Sequence, residues 1–152
     1  MIHTGIDHSS DGIDNEIDLS VLLSLERAQA DGEPDLIVEL IDLYLDEGSE
    51  RVASMSNLLA AGDNLSLVRG AHTLRGSSAT MGAGRLALLC EAIEHIAKRG
   101  LLQDCAALID EAEREFVRVR EYLLSERSKR ICETIPGVVF IAASHFQPAA
   151  RR

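Results

Sequence analysis

The segment Ala71-His72-Thr73-Leu74-Arg75-Gly76-Ser77-Ser78-Ala79 holds the residue types that nucleophilic chemistry at a histidine needs. Histidine has an ordinary pKa of about 6.5, so near neutral pH much of an exposed imidazole is uncharged and offers a nitrogen lone pair. Arg75 lies one helical turn further on, where a guanidinium can meet an anionic group such as a phosphoryl with several N–H donors. Gly76 and Ala79 put no bulk beside the ring. Glycine inside a helix costs about 1 kcal/mol relative to alanine. Gly76 therefore asks for a reason, and two are open: access for an incoming catalytic domain, or close packing of a neighbouring helix.

At about 100° per residue, Leu67, Leu74, Ser78 and Met81 share one side of this helix and define its buried face. His72 falls nearly opposite, together with Leu65, Val68, Arg69, Arg75, Gly76 and Ala79. Apolar Leu65 and Val68 on that outward side, with Arg69, outline a docking surface for a partner. A histidine with an arginine three positions on is ordinarily a solvated surface pair, so the pattern alone does not name a reaction. Ser78, small and inward, lets a neighbouring helix come close.

The elements that must hold this face are helical. Asp18 or Ser20 caps a short helix that carries Leu19, Leu22, Leu23 and Leu25 and runs to about Ala30. Asp31-Gly32-Glu33-Pro34 breaks it, and Pro34 suits the first turn of the next helix. That second helix repeats apolar residues at steps of three and four from Ile37 to Leu59 and ends near Gly62. Asp63 or Asn64 caps a third, from about Leu65 to Met81. A fourth runs from about Gly84 to Arg99, with Leu86, Leu89, Cys90, Ile93, Ile96 and Ala97 inward, and Gly100 stops it. A fifth spans about Leu102 to Ser128. No stretch before residue 130 alternates with period two. The pattern predicts an all-α fold, an antiparallel up-and-down four-helix bundle with a short additional N-terminal helix.

The expected division is an acidic, disordered leader over 1–16, the bundle over 17–128, and a tail over 129–152 of open structure that holds the apolar run Val138-Val139-Phe140-Ile141. With three Phe, two Tyr and no Trp among 152 residues, the core must be aliphatic. The net charge of −10 argues against non-specific nucleic-acid binding and gives no support to binding of anionic membranes. Cys90, Cys105 and Cys132 are too widely spaced for a zinc pair, and Cys90 reads as a buried thiol. The leader lacks the charged-then-apolar pattern of a secretion signal, and no apolar run reaches the roughly 18 residues of a membrane span. A cytoplasmic monomer is the expectation.

Two other chemistries fit poorly. There is no Gly-rich ATP-binding loop of either common kind, so the chain does not read as a kinase. A carboxylate-bridged di-metal bundle needs Glu-x-x-His pairs on two helices; Glu91 and His95 are four apart and no second pair exists. No metal site is expected.

The run from Ala71 to Glu94 resembles the signature of the histidine-containing phosphotransfer family, approximately A-H-x-L-K-G-S-S-x-x-x-G-A-x-x-L-x-x-x-C-x-x-L-E. Ala71, His72, Leu74, Gly76, Ser77, Ser78, Gly82, Ala83, Leu86, Cys90 and Glu94 match it. Arg75 stands where lysine is usual, keeping the charge but changing its reach and shape. Ile93 replaces the usual leucine. The likeness covers roughly residues 17–125.

It implies a four-helix bundle whose histidine, here His72, takes a phosphoryl group on Nε2 from a receiver-domain aspartate and passes it to another receiver. On that resemblance, Arg75 stabilises the phosphoryl oxygens, Gly76 leaves room for the receiver, and Glu94 and Lys98 orient the histidine or its phosphate. The implied partners are receiver domains of response regulators or hybrid sensor kinases. The implied protein is a phosphorylated carrier rather than an enzyme. It needs no cofactor of its own, the Mg²⁺ sitting in the receiver's acidic pocket. The alternative is a helical module that docks on or sequesters a receiver without chemistry.

Overall fold

A computed structural model of the chain describes residues 17–29 and 35–134. The expected leader, the break from Asp31 to Pro34 and the apolar run Val138 to Ile141 lie outside those residues. Within them the elements are α1 (Ser20–Glu26), α2 (Leu36–Ala61), α3 (Asn64–Thr80), α4 (Gly84–Lys98), a single 3₁₀ turn (Leu102–Asp104) and α5 (Ala106–Thr134). The expected four long helices and short first helix are all present.

Several helix ends have a local cause. The Asp35 carboxylate caps α2 by accepting from the backbone N–H groups of Ile37 and Val38, at 2.9 and 3.4 Å. The helix thus opens after Pro34 rather than on it. Asp63 caps α3 through the Ser66 N–H. Asp18 accepts from the Ser20 N–H at the head of α1. Gly62, Gly82 and Gly100, with φ of 70°, 75° and 73°, turn the chain after α2, α3 and α4 through the left-handed region.

Three further ends differ from the sequence reading. α1 stops at Glu26, short of the expected end near Ala30, because only Leu22 is buried along it and the small, exposed Ala28 does not hold another turn. The stretch expected to open the fifth helix at Leu102 is instead a 3₁₀ turn, and α5 runs on past Ser128 to Thr134. Ion pairs hold that extension. Arg127 grips Asp42 of α2 with two hydrogen bonds of 2.6 and 3.1 Å, and Arg130 reaches Glu26 of α1 at 3.0 Å and Asp35 at 3.7 Å.

The helices α2, α3, α4 and α5 each pack on their neighbour in the chain, and α5 closes the ring on α2. Short connections make neighbours antiparallel. The core is aliphatic, as composition requires. Ile37, Ile41 and Met55 from α2 meet Leu67 and Leu74 from α3, Leu86 and Ile93 from α4, and Ile109, Val119 and Leu123 from α5. A polar contact also crosses it: the Tyr44 and Ser78 hydroxyls share a hydrogen bond of 3.0 Å in full burial. Tyr44 also tilts against Phe116, ring centroids 5.9 Å apart. Burial pushes the Tyr44 phenol up to about 12 and the Cys90 thiol to about 12, so both stay protonated.

The N-terminal segment straps the α3–α4 turn. The Asp18 N–H donates to the Gly82 carbonyl at 3.0 Å, and a Cβ on Gly82 would lie 1.8 Å from the Asp18 carbonyl oxygen. Gly48 does comparable work inside the bundle, where a Cβ would come within 2.7 Å of the Phe116 ring. Replacing Gly48 by alanine is therefore expected to lower the unfolding free energy by about 1 kcal/mol net, overpacking of roughly 2 kcal/mol outweighing the roughly 1 kcal/mol that alanine gains over glycine within a helix. Urea unfolding followed by far-UV circular dichroism checks this; an unchanged midpoint would contradict the packing.

Candidate functional site

α3 turns its apolar side inward, with Leu67, Ala71, Leu74 and Ser78 buried, and this sets where His72 points. The His72 side chain stands 61% exposed on the outer margin of the α3–α4 seam. Its Nδ1 lies 3.2 Å from Oε1 of Glu94, a residue of α4 that is itself only 3% exposed. The same carboxylate oxygen accepts from Lys98 Nζ one turn on. Arg75 closes the cluster, with Nη1 3.5 Å from Glu94 Oε2 and 3.5 Å from Glu91 Oε1.

Two groups compete for His72 Nδ1. Arg75 Nη2 lies 3.4 Å from it and, like every guanidinium nitrogen, can only donate. The carboxylate can only accept, is closer, and is nearly cut off from water. The proton therefore belongs on Nδ1, directed at Glu94, and Arg75 lies alongside without a true hydrogen bond to the ring. In the neutral imidazole this leaves the lone pair on Nε2.

Glu94 is the electrostatic centre of the cluster. The hydrogen bond from Lys98 holds its carboxyl below the usual range, against the desolvation that raises it, and His72 and Arg75 add to the lowering. Its Oε2 is buried without a hydrogen bond and has only the more distant Arg75 for company.

Beside Arg75 an open groove of about 570 Å³ runs along the α3–α4 seam, floored by Gly76, Ala79, Gly82 and Gly84 and walled by Leu88 and Glu91. A Cβ on Gly76 would meet nothing within 4 Å. This removes helix packing as the reason for that glycine. Leu65, at 60% exposed, and Arg69 stand free on the N-terminal part of α3, but Val68 is half-buried against the core rather than wholly outward. Leu88 on α4, also 60% exposed, was not singled out from the sequence, and neither was Glu91 as a neighbour of Arg75. Among the described residues, no group of three or more His, Cys, Asp or Glu is disposed to hold a metal ion, and no helix is long and apolar enough to cross a membrane.

The chain and its bundle have counterparts among known proteins. The family model of the Hpt domain matches residues 39–124, and the chain belongs to that family. It is similar to histidine-containing phosphotransfer protein 5 of Arabidopsis thaliana, at 28% identity over 122 residues, 75% of this chain and 78% of the relative. Histidine-containing phosphotransfer protein 2 of the same plant is 22% identical over 102 residues, 65% of each chain. Among solved structures, histidine-containing phosphotransfer protein B (HptB) from Pseudomonas aeruginosa PAO1 superposes with a TM-score of 0.67 at 38% identity, covering 74% of this chain and 95% of that one.

The depressed Glu94 pKa fixes a pH dependence. Because the folded value lies below the unfolded one, the ionised carboxylate contributes stability that is complete above the ordinary carboxylate range and is lost as pH falls through the depressed value. Wild type is expected to exceed Glu94→Gln in unfolding free energy near neutrality, with the gap shrinking as pH falls below the ordinary carboxylate range. Chemical unfolding across that range checks it; a gap that does not change with pH would contradict the assignment.

Proposed function

We propose that His72 carries the phosphoryl group in a phosphorelay, receiving it on Nε2 from the aspartyl phosphate of one receiver domain and surrendering it to the aspartate of another. The role of the family supports this: its members are phosphotransfer carriers rather than conventional enzymes and work with receiver domains and kinases. The observation that carries the residue assignment is the His72–Glu94 contact, which leaves an exposed imidazole with its lone pair on Nε2.

The step needs little machinery on this side. The Nε2 lone pair attacks phosphorus, a P–N bond forms, and the P–O bond to the receiver's carboxylate breaks with its electron pair leaving on oxygen. No proton moves at either reacting atom, so no catalytic base is required of this chain. Phosphoryl transfer then depends on alignment and on neutralising the charge of the transferring oxygens. Arg75 supplies one cation, and Lys98 and Glu94 steady the ring. The receiver brings the acidic pocket and its Mg²⁺, so this chain holds no cofactor. The receiver approaches across Gly76 and Ala79, with Leu65 and Arg69 contacting it from α3 and Val68 backing them. On this reading the functional unit is the single bundle, a monomer in the cytoplasm that runs from residue 17 to the end of α5 at Thr134.

Radiolabel transfer from a phosphorylated receiver domain tests the assignment. His72→Gln is expected to keep its helical circular dichroism and take up no label. Arg75→Ala is expected to slow uptake roughly tenfold, the worth of one charge-assisted hydrogen bond of about 1.5 kcal/mol. Wild type that binds the receiver yet stays unlabelled would favour a docking module without chemistry.

Gly76→Ala separates access from stability. With open space around its Cβ, the substitution is expected to stabilise the helix by about 1 kcal/mol while slowing transfer. Thermal unfolding and transfer rates measured on one sample check both signs. A more stable variant that transfers at the wild-type rate would remove steric access as the role of Gly76.

A further inference from the structure

Arg75 is engaged before any phosphoryl group arrives. Its Nη1 is shared between Glu91 Oε1 and Glu94 Oε2, each at 3.5 Å, and its Nη2 lies beside His72 Nδ1 at 3.4 Å. The two carboxylate contacts draw the guanidinium towards α4, on the side of the proton-bearing ring nitrogen. A phosphoryl group sits on the other nitrogen, Nε2. To reach its oxygens, Arg75 must give up carboxylate partners.

The two carboxylates are not equivalent in this exchange. Glu94 is buried and keeps Lys98 and His72 when Arg75 leaves. Glu91 is 44% exposed and walls the groove that borders Gly76 and Ala79. Once Arg75 turns away, Glu91 loses that cation and faces an added phosphoryl charge. Both effects raise the free energy of the phosphorylated chain relative to the free one.

Resting on the proposed role of His72, we infer that Glu91 is a positioning residue that restrains Arg75 and so weakens retention of the phosphoryl group. Glu91 touches neither reacting atom. It acts by making Arg75 costlier to recruit, which keeps the group-transfer potential of phospho-His72 high and favours passage to the next acceptor. A carrier that held phosphate tightly would stall.

Potassium phosphoramidate tests this without a cognate receiver. Its P–N bond breaks, a P–Nε2 bond forms on His72, and ammonia leaves after taking a proton from water. Wild type, Glu91→Gln, Arg75→Ala, the double variant and His72→Gln are brought to a steady state with fixed phosphoramidate and ammonium, and the phosphorylated fraction is read by intact mass and ³¹P NMR. Glu91→Gln is expected to raise the ratio of phosphorylated to free chain about two- to fivefold, the range of an exposed ion pair. High salt is expected to shrink that gain. In the Arg75→Ala background the same substitution is expected to do markedly less, since the effect runs through Arg75.

Equal ratios for wild type and Glu91→Gln overturn the inference and leave the role of His72 intact. An equal gain with and without Arg75 also overturns it, making Glu91 a bare charge. Phosphate that tandem mass spectrometry maps in wild type to another histidine and not to His72 overturns the proposed function, and no label on any variant overturns both.

Discussion

A carboxylate almost sealed from water governs this structure. Burying a charge is costly unless it is paired, and truncating one partner of such a cluster leaves the other exposed to that cost. Glu94 is tolerable because Lys98 approaches from its own helix while His72 and Arg75 approach from α3. The cluster lies on the outer margin of the apolar α3–α4 seam, where one side of each group meets the core and the other meets solvent. The apolar seam sets the rotation of α3, and Glu94 then sets the plane and tautomer of the ring. Neither suffices alone: one residue of rotation, about 100°, would carry His72 away from its carboxylate.

On the proposed reading, labour is divided sharply between this chain and its partner. The bundle contributes a lone pair, a nearby cation and a bare approach, all on rigid helices. It offers a face rather than an enclosed pocket, so what closes around the reacting phosphorus has to come from the other protein. The groove between α3 and α4 extends that face beyond the α3 surface outlined by Leu65 and Arg69, and brings in Leu88 from the second helix.

Much of this was legible in the residues. Helical spacing placed Leu67, Leu74 and Ser78 inward and His72 outward, because the apolar positions of α3 are few and regular. Glycines at 62, 82 and 100 marked the turns, since each adopts a φ that other residues avoid. Other features depend on tertiary context. The reach of α5 to Thr134 rests on Arg127 and Arg130 pairing with residues far away in sequence, which no local period reveals. The burial of Glu94 did have a signal: it lies four residues after Cys90 and three before Ala97, both inward positions, and only the family likeness drew attention to it. Glu115, similarly placed between Ala112 and Val119 and paired with Arg118, went unnoticed because a charged residue on an inner face is discounted by default. The link between Glu91 and Arg75 crosses two helices and has no sequence mark at all.

The hydroxyl pair of Tyr44 and Ser78 has a consequence for how sharply His72 is aimed. Interfaces made solely of aliphatic side chains let a helix roll a little, because dispersion and area burial change gradually with angle. A buried O–H···O contact is directional and carries a steep penalty when broken. Ser78 faces inward while His72 faces outward on the same rod, so this bond acts as a key in a shaft. It locks the azimuth of the imidazole from the opposite side of the helix, in a place that no docking partner can touch.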